Sequence, residues 1–482
     1  MRTLLTGILL SAMALPVLAA PASTPAGKRL DEAREAYLGT LARPISAADW
    51  EARYRTSSWF WEAGPSSQLG RYDAVIKEVS LAQGAPDGQF KRRALWVRPY
   101  SSDAIDLRVL EVLDRAQAMG VTEVYLETFY HGRVSYVGSK VFPARWPKLN
   151  VARVYAREAK HRGIKLFAWV HALRWGEDQV ASGWAEGVLN GFGDAPQQAE
   201  GVGSAFVSPS SPAVRERLVA LTDEIARLGY FDGVWLDYLR YPLAARSRPT
   251  GVDPRDFWGY SPSSRAALRT QAPALDAPAF RAFLADGTSP DEATRQQWLS
   301  TWRGFLAGEL KTLLEAIRTR LDGRLKLGLV FHPSGYMRQH DPRAQDALAW
   351  LPLCDEVSPM CYAYDPEVDP LDASAQRATI DQELSLVEDA VAALPGKRPA
   401  LLVALAGEPQ PGLPNLTPPR RHWPLRAQIA YLKGRRVEGA FPLVDGVAMF
   451  SYGWLWPSSD ASRRSLDEPA WNDAGRADRA PL

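Results

Sequence analysis

Eight short apolar runs, helical stripes between them, and no glycine-rich phosphate turn after the first run predict an α/β fold. The class is a (β/α)8 TIM barrel with an N-terminal arm and a long insertion after strand four. Strands that are apolar on both faces and alternate with helices mean a parallel sheet covered by helices. A doubly wound dinucleotide fold would place G-x-G-x-x-G after its first strand, and the residues following Val97 do not supply it.

The runs read as strands are residues 94–97, 123–126, 164–170, 233–237, 327–331, 356–362, 400–406 and 447–450. Between them, Ile105, Val109, Val112, Ala116 and Met119 form one stripe before Gly120. Val214, Leu218, Leu221, Ile225 and Leu228 form another behind Ser211-Pro212, and Gly229 ends it. Ile380, Leu384, Val387, Val391 and Leu394 repeat the spacing, and a longer helix over residues 295–321 carries Trp298, Trp302, Phe305, Leu313 and Ile317. The connection from Pro242 to about Glu292 exceeds ordinary loop lengths and is expected to cover the barrel mouth.

Residues 1–20 read as a signal peptide: Arg2, an apolar run from Leu4, then small residues with cleavage near Ala19 or Ala20. The expectation is an exported protein, periplasmic or secreted, with no lipid anchor and no membrane span. Residues 21–92 read as a helical and irregular arm, 93–456 as the barrel, and 457–482 as a polar C-terminal tail. Cys354 and Cys361 lie seven apart on one apparent strand, about 23 Å at full extension, so both are expected to be buried thiols.

The 482 residues are 46% hydrophobic with a formal charge of only +2, which disfavours nucleic acid and suits a neutral substrate. The 17 Trp and 17 Tyr provide flat faces of the kind that stack on sugar rings, although buried aromatics also simply fill cores.

A closed barrel gathers the carboxyl-terminal strand ends around one mouth. In order these supply Arg98, Glu127 with His131, Trp169 with His171, Asp237 with Tyr238 and Arg240, and His332. Tyr362, Tyr364, Asp365, Glu408, Tyr452 and Trp454 follow. The opposite strand ends show no comparable polar set. Two carboxylates flanked by aromatics match glycoside hydrolysis, where one protonates the leaving oxygen and the other acts as base or nucleophile.

Asp237 is read as nucleophile or base and Glu127 as acid, with Asp365 in reserve. The other mouth residues are read as substrate-binding. Each carboxylate has a plainer alternative: an ion pair of Asp237 with Arg240, a salt bridge of Glu127 to Arg98 or Arg240, and solvated loops for Asp365 and Glu408. No H-x-H, H-E-x-x-H or G-x-S-x-G occurs, so neither a metal, another cofactor nor a serine nucleophile is expected.

The run FDGVWLDYLRYP at residues 231–242 resembles the signature of the glycosyl hydrolase-like 10 family, bacterial barrel proteins that include a divisome-associated peptidoglycan glycosidase. Other pieces fall in that family's order: ALWV at 94–97, VSPS at 207–210, Trp298 with Trp302-Arg303, VSPMCY at 357–362 and MFSY at 449–452. The likeness covers about residues 92–456 and is most specific at 231–242. It implies a barrel acting on an extracytoplasmic glycan, with peptidoglycan strands the leading candidate. The family's usual form has two adjacent acids where this chain has Asp237-Tyr238 followed by Arg240. The resemblance therefore supports Asp237 and leaves its partner open. A non-catalytic glycan-binding barrel is the alternative function.

Overall fold

The computed structural model describes residues 90–464 except 106–107, 192, 196–203, 243–257, 287–290, 334–342, 363–372, 407–424, 456–459 and 461–462. Residues 1–20, expected to be a signal peptide, residues 21–89 of the expected arm, Tyr364, Asp365 and Glu408 lie outside the described residues.

Eight parallel strands close into a ring: β1 Arg92–Val97, β2 Glu123–Tyr130, β3 Lys165–His171, β4 Gly233–Asp237, β5 Lys326–Phe331, β6 Glu356–Pro359, β7 Ala400–Ala406 and β8 Val444–Phe450. Each pairs with the next in chain order, and β1 pairs with both β2 and β8, which completes the barrel. Six longer helices lie between strands: α1 Arg108–Ala118, α2 Val151–His161, α3 Pro212–Leu228, α4 Glu292–Leu321, α5 Ala373–Ala392 and α6 Leu425–Val437. The α3 boundaries follow the sequence signals, with proline in the first turn and Gly229 left-handed at φ 66° just past the end. Asn150 caps α2 through the Arg153 N–H, and Asp291 caps α4 through the Thr294 N–H.

The barrel interior is lopsided. Trp96, Tyr125, Phe167, Trp169 and Trp235 project inward from β1 to β4, whereas Gly328, Val330, Ala404 and Ala448 face them from the other half. Register aligns Trp96 with Tyr125, Tyr125 with Phe167, and Trp169 with Trp235. Trp96 meets Tyr125 and Trp169 edge-on at 4.7 and 5.0 Å, a favoured arrangement of aromatic quadrupoles. A ring of eight strands encloses a fixed volume, so indoles on one side require small residues opposite.

Gly328 shows this directly: a Cβ there would collide with the Trp235 indole, which Tyr125 backs at 4.8 Å. Gly328→Ala is therefore expected to destabilise by about 1–3 kcal/mol through overpacking, read as a lowered denaturation midpoint. An unchanged midpoint would show that the interior has slack.

The amino-terminal strand ends differ from the sequence expectation. Arg92 bridges Glu123 at 2.6 Å and Glu356 at 2.8 Å, Lys326 reaches Glu356 at 2.7 Å, and the Tyr125 hydroxyl donates to Glu123 at 3.3 Å. In sequence these residues look like the polar starts of separate strands; ring closure brings them together as an ion-paired plug at the barrel floor. Paired charges at that end serve stability, because the catalytic loops of such barrels leave from the other.

Two connections remain, the long insertion and the C-terminal stretch. The described part of the long insertion, helix Pro262–Gln271, the turn Pro273–Asp276 and helix Pro278–Asp286, packs against α4. Phe280 and Phe283 lie 5.4 and 5.5 Å from Trp298, and the Trp302 indole donates to the Trp258 carbonyl. Residues 243–257 and 287–290 of the same connection lie outside the described residues, as does the test of the cover expected from its length.

The stretch read as a tail from residue 457 holds Asp460 and Arg463, both buried, with Arg463 paired to Asp103 at 2.7 Å. Composition cannot distinguish a solvated charge from a buried pair. Cys354 and Cys361 are free and buried, and burial pushes the Cys354 thiol up to about 12.

Candidate functional site

The site grows from the ends of β1 to β4. Period-two alternation aims Trp96 and Arg98, Tyr125 and Glu127, Trp169 and His171, and Trp235 and Asp237 toward the barrel axis. His171 and Asp237 are register partners, as are Glu127 and Trp169. Glu127 and Asp237 thus lie two strands apart, with Trp169 and His171 between them.

Asp237 Oδ1 accepts from the Tyr238 N–H at 2.7 Å, and Oδ2 accepts from the Trp169 indole at 3.0 Å. Its pKa is raised: burial dominates, and the opposing pull of Arg240, the two hydrogen bonds and Arg174 does not cancel it. A carboxyl whose pKa lies above the ordinary aspartate value, at the end of a barrel strand, is suited to donate a proton.

Glu127 is differently placed. It is fully buried, with Oε1 accepting from Arg98 Nε at 3.1 Å and Oε2 facing Arg145 at 3.4 Å. His171 Nε2 stands 3.4 Å from Oε1, outside hydrogen-bond geometry. The salt bridge to Arg98 that the sequence offered as an alternative is present, so Glu127 anchors a charge network. That placement engages the carboxylate with two guanidinium partners.

Above these groups lies an aromatic layer. Tyr130 stacks on His131 at 3.8 Å and meets His171 edge-on at 4.9 Å, while Tyr238 stacks on His171 at 4.7 Å. Two features raise these rings over the mouth. An irregularity in β2 between Glu127 and Phe129 inserts an extra residue, and the strand continues to Tyr130 before a turn into the short strand Arg133–Val134. His131 and Tyr238 hold φ of 49° and 53°, left-handed values that cost of order 1–3 kcal/mol each and concentrate at functional sites.

Both imidazoles are kept neutral. Burial and the charges of Arg174, Arg145 and Arg98 push His131 down to about 2, and burial with Arg174 and Arg98 drives His171 well below its ordinary value. Neither histidine should therefore titrate between pH 5 and 8. Any pH dependence of the site in that range is expected to survive His131→Gln, measured as an unchanged profile shape.

The remaining sequence candidates divide. Tyr362 joins the rim opposite Glu127, 5.8 Å from Phe450, which in turn stands 6.1 Å from Trp169. Arg240 lies over the Tyr238 ring at 4.8 Å and donates to the Tyr241 carbonyl. His332 follows β5, its N–H held by Gln345. Trp454 falls in the helical turn Tyr452–Leu455.

Tyr452 leaves the mouth altogether. It is buried between barrel and helices, its hydroxyl accepts from Arg115 of α1 at 2.8 Å, and Arg463 covers its ring. The chain turns outward after β8, so nearness to a strand end in sequence misplaces it.

Besides Tyr130, three residues escaped sequence reading. Arg174, 8% exposed, donates to the Tyr238 hydroxyl at 3.2 Å, and Arg145 faces Glu127. Gln345 donates to the carbonyls of Leu239 and Val330, tying the ends of β4 and β5. Arg174 lies three residues past His171, which is a faint signal; Arg145 and Gln345 carry none, since loops bring them in.

No family model matches the chain, and no curated protein matches it. Among solved structures it is similar to the PgaB (BpsB) glycoside hydrolase domain from Bordetella bronchiseptica, with a TM-score of 0.52 and 13% identity over 77% of this chain and 98% of that one. It is also similar to a polyextremophilic beta-galactosidase from the haloarchaeon Halorubrum lacusprofundi, at a TM-score of 0.50 and 14% identity, covering 75% of this chain and 52% of that one. At such identities the likeness is one of fold, and the fold is a closed (β/α)8 barrel.

Proposed function

We propose that this protein is an exported glycoside hydrolase acting on a cell-envelope polysaccharide, with peptidoglycan glycan strands as the leading substrate. The observation that carries the reading is Asp237: a carboxyl of raised pKa at the end of β4, bonded by Trp169 and Tyr238 and set beside stacked aromatic rings. The resemblance of residues 231–242 to the glycosyl hydrolase-like 10 signature supports the substrate class, and residues 1–20 support export.

The raised pKa of Asp237 and the ion pairs of Glu127 support a different division of roles. Asp237 gives its proton to the glycosidic oxygen as the C–O bond breaks, and a water adds at the anomeric carbon and loses a proton to a base. Glu127 positions Arg98 and Arg145 as a fixed anion. Asp365 and Glu408, which follow β6 and β7 in the chain, are the candidates for the base.

The test is reducing-end release from purified, peptide-free glycan strands by the mature chain. Release that is flat at low pH and falls as pH rises through the Asp237 pKa is expected, because only the protonated form donates. One observation favours a second reading, a barrel that binds glycan without cutting it: of the two described carboxylates at this site, Glu127 is already engaged by arginines. Saturable oligosaccharide binding with no release over days would decide for that alternative.

A further inference from the structure

Among the described residues, three tryptophans project into the barrel from β1, β3 and β4: Trp96, Trp169 and Trp235. All three fill the same crowded half of the interior, a purpose that any large apolar ring would serve. Their indole nitrogens differ. The N–H groups of Trp96 and Trp235 are buried with no hydrogen-bond partner, whereas that of Trp169 donates to Asp237 Oδ2 at 3.0 Å.

The sequence makes Trp169 a candidate substrate-binding ring, and its surroundings oppose that role. It is 3% exposed, with ring centroids 5.0 Å from Trp96, 4.8 Å from His171 and 6.1 Å from Phe450. A sugar has no face of this ring to stack on. The Asp237 carboxyl, in turn, has two donors, one for each oxygen: the Tyr238 N–H to Oδ1 at 2.7 Å and the Trp169 indole to Oδ2. The first comes from the next residue in the chain, while the second comes from another strand and ties the carboxyl to the barrel wall. The terminal torsion of an aspartate is broad, so a single donor leaves the carboxyl plane free to swing, and donors on both oxygens fix it. A group that hands a proton to one particular atom gains from a fixed plane.

We propose that Trp169 is a positioning residue, fixing the plane of the Asp237 carboxyl through its indole N–H instead of stacking on substrate. This rests on the glycosidase reading of the site and adds to it the group that aims the acid. The same bond has a second effect, opposite in sign. An N–H donor favours the ionised carboxyl, so it holds the Asp237 pKa below what burial alone would give. The other charged and titratable groups around Asp237 are Tyr238 and Arg240 after β4, His171 and Arg174 at and after the end of β3, Glu127 on β2, and His332 after β5. Trp169→Phe leaves all of them in place.

The test compares Trp169→Phe with Trp96→Phe, which removes an indole from the same cluster without touching Asp237, both folds being checked by circular dichroism. Trp169→Phe is expected to lower kcat on glycan strands about 10- to 100-fold with KM changed less than about threefold. It should also move the basic limb of the pH profile, and the Asp237 carboxyl midpoint seen by NMR, to higher pH. Trp96→Phe should leave that midpoint at its wild-type position. A raised KM with kcat retained would make Trp169 a binding residue, and a midpoint that stays put, or moves equally in both variants, would remove the positioning role. A check on the wild-type chain needs no tryptophan variant. With nitrogen-labelled tryptophan, one indole N–H should titrate with the Asp237 midpoint and stop doing so in Asp237→Asn; if none does, the proposal is overturned. Absence of strand cleavage by the wild type would overturn the glycosidase reading alone, because both titrations report on the bond between Trp169 and Asp237 without turnover.

Discussion

Asp237→Asn is expected to lower cleavage of natural glycan strands by about 10²- to 10⁴-fold, the usual contribution of a positioned general acid. The side chain is isosteric, so the loss should appear in a folded protein. Asparagine retains one oxygen for the Trp169 indole or the Tyr238 N–H, and it cannot serve both donors as the carboxyl does. A modest stability cost should therefore accompany the larger kinetic one. An aryl glycoside with a strongly acidic phenol leaving group needs no proton, so the variant should cleave it at a rate much closer to wild type. A variant that loses both activities equally would assign Asp237 to binding; one that loses neither would remove it from the chemistry.

Arg463→Met is expected to have the largest effect on stability. Arg463 and Asp103 are both fully buried, and the guanidinium donates Nε to Asp103 Oδ1 at 2.8 Å and Nη2 to Oδ2 at 2.7 Å. It also donates to the Arg98 carbonyl and approaches the Tyr155 hydroxyl, so it fastens the C-terminal segment beneath the first strand–helix unit. Removing it leaves a carboxylate buried without its cation, which typically costs about 3–5 kcal/mol. Chemical denaturation should show the loss, and Asp103→Leu combined with Arg463→Met should recover much of it, because the desolvated charge is then gone. A single variant with an unchanged midpoint would mean that the segment is not fastened there. Since Arg463 also touches the Arg98 backbone, the single variant is expected to disturb the mouth as well.

The strands were legible because a parallel barrel buries both faces of each one. Gly233–Asp237 and Ala400–Ala406 have the bounds their apolar runs suggest. β2 runs four residues past its apolar core, since the irregularity after Glu127 and the hairpin beyond it depend on pairing across the sheet. β6 stops at Pro359, earlier than residue 362, where a residue without an N–H interrupts the ladder. Strand parity located Asp237 and Glu127 on the axis side. It could not assign their roles: the raised pKa of one and the arginine network of the other arise from loops and neighbouring strands. Arg145 and Gln345 have no periodic signal, and the floor plug of Arg92, Glu123, Lys326 and Glu356 exists only once the ring has closed.

The central claim is that Asp237 stays protonated long enough to act as an acid. Its pKa can be measured directly by carbon-detected NMR titration of the mature protein labelled at aspartate carboxyls, with Asp237→Asn assigning the resonance. A midpoint above the ordinary aspartate value near 3.9 is predicted, in step with the basic limb of the strand-cleavage profile. A midpoint at or below that value would leave the carboxyl ionised wherever the protein works and would contradict the account.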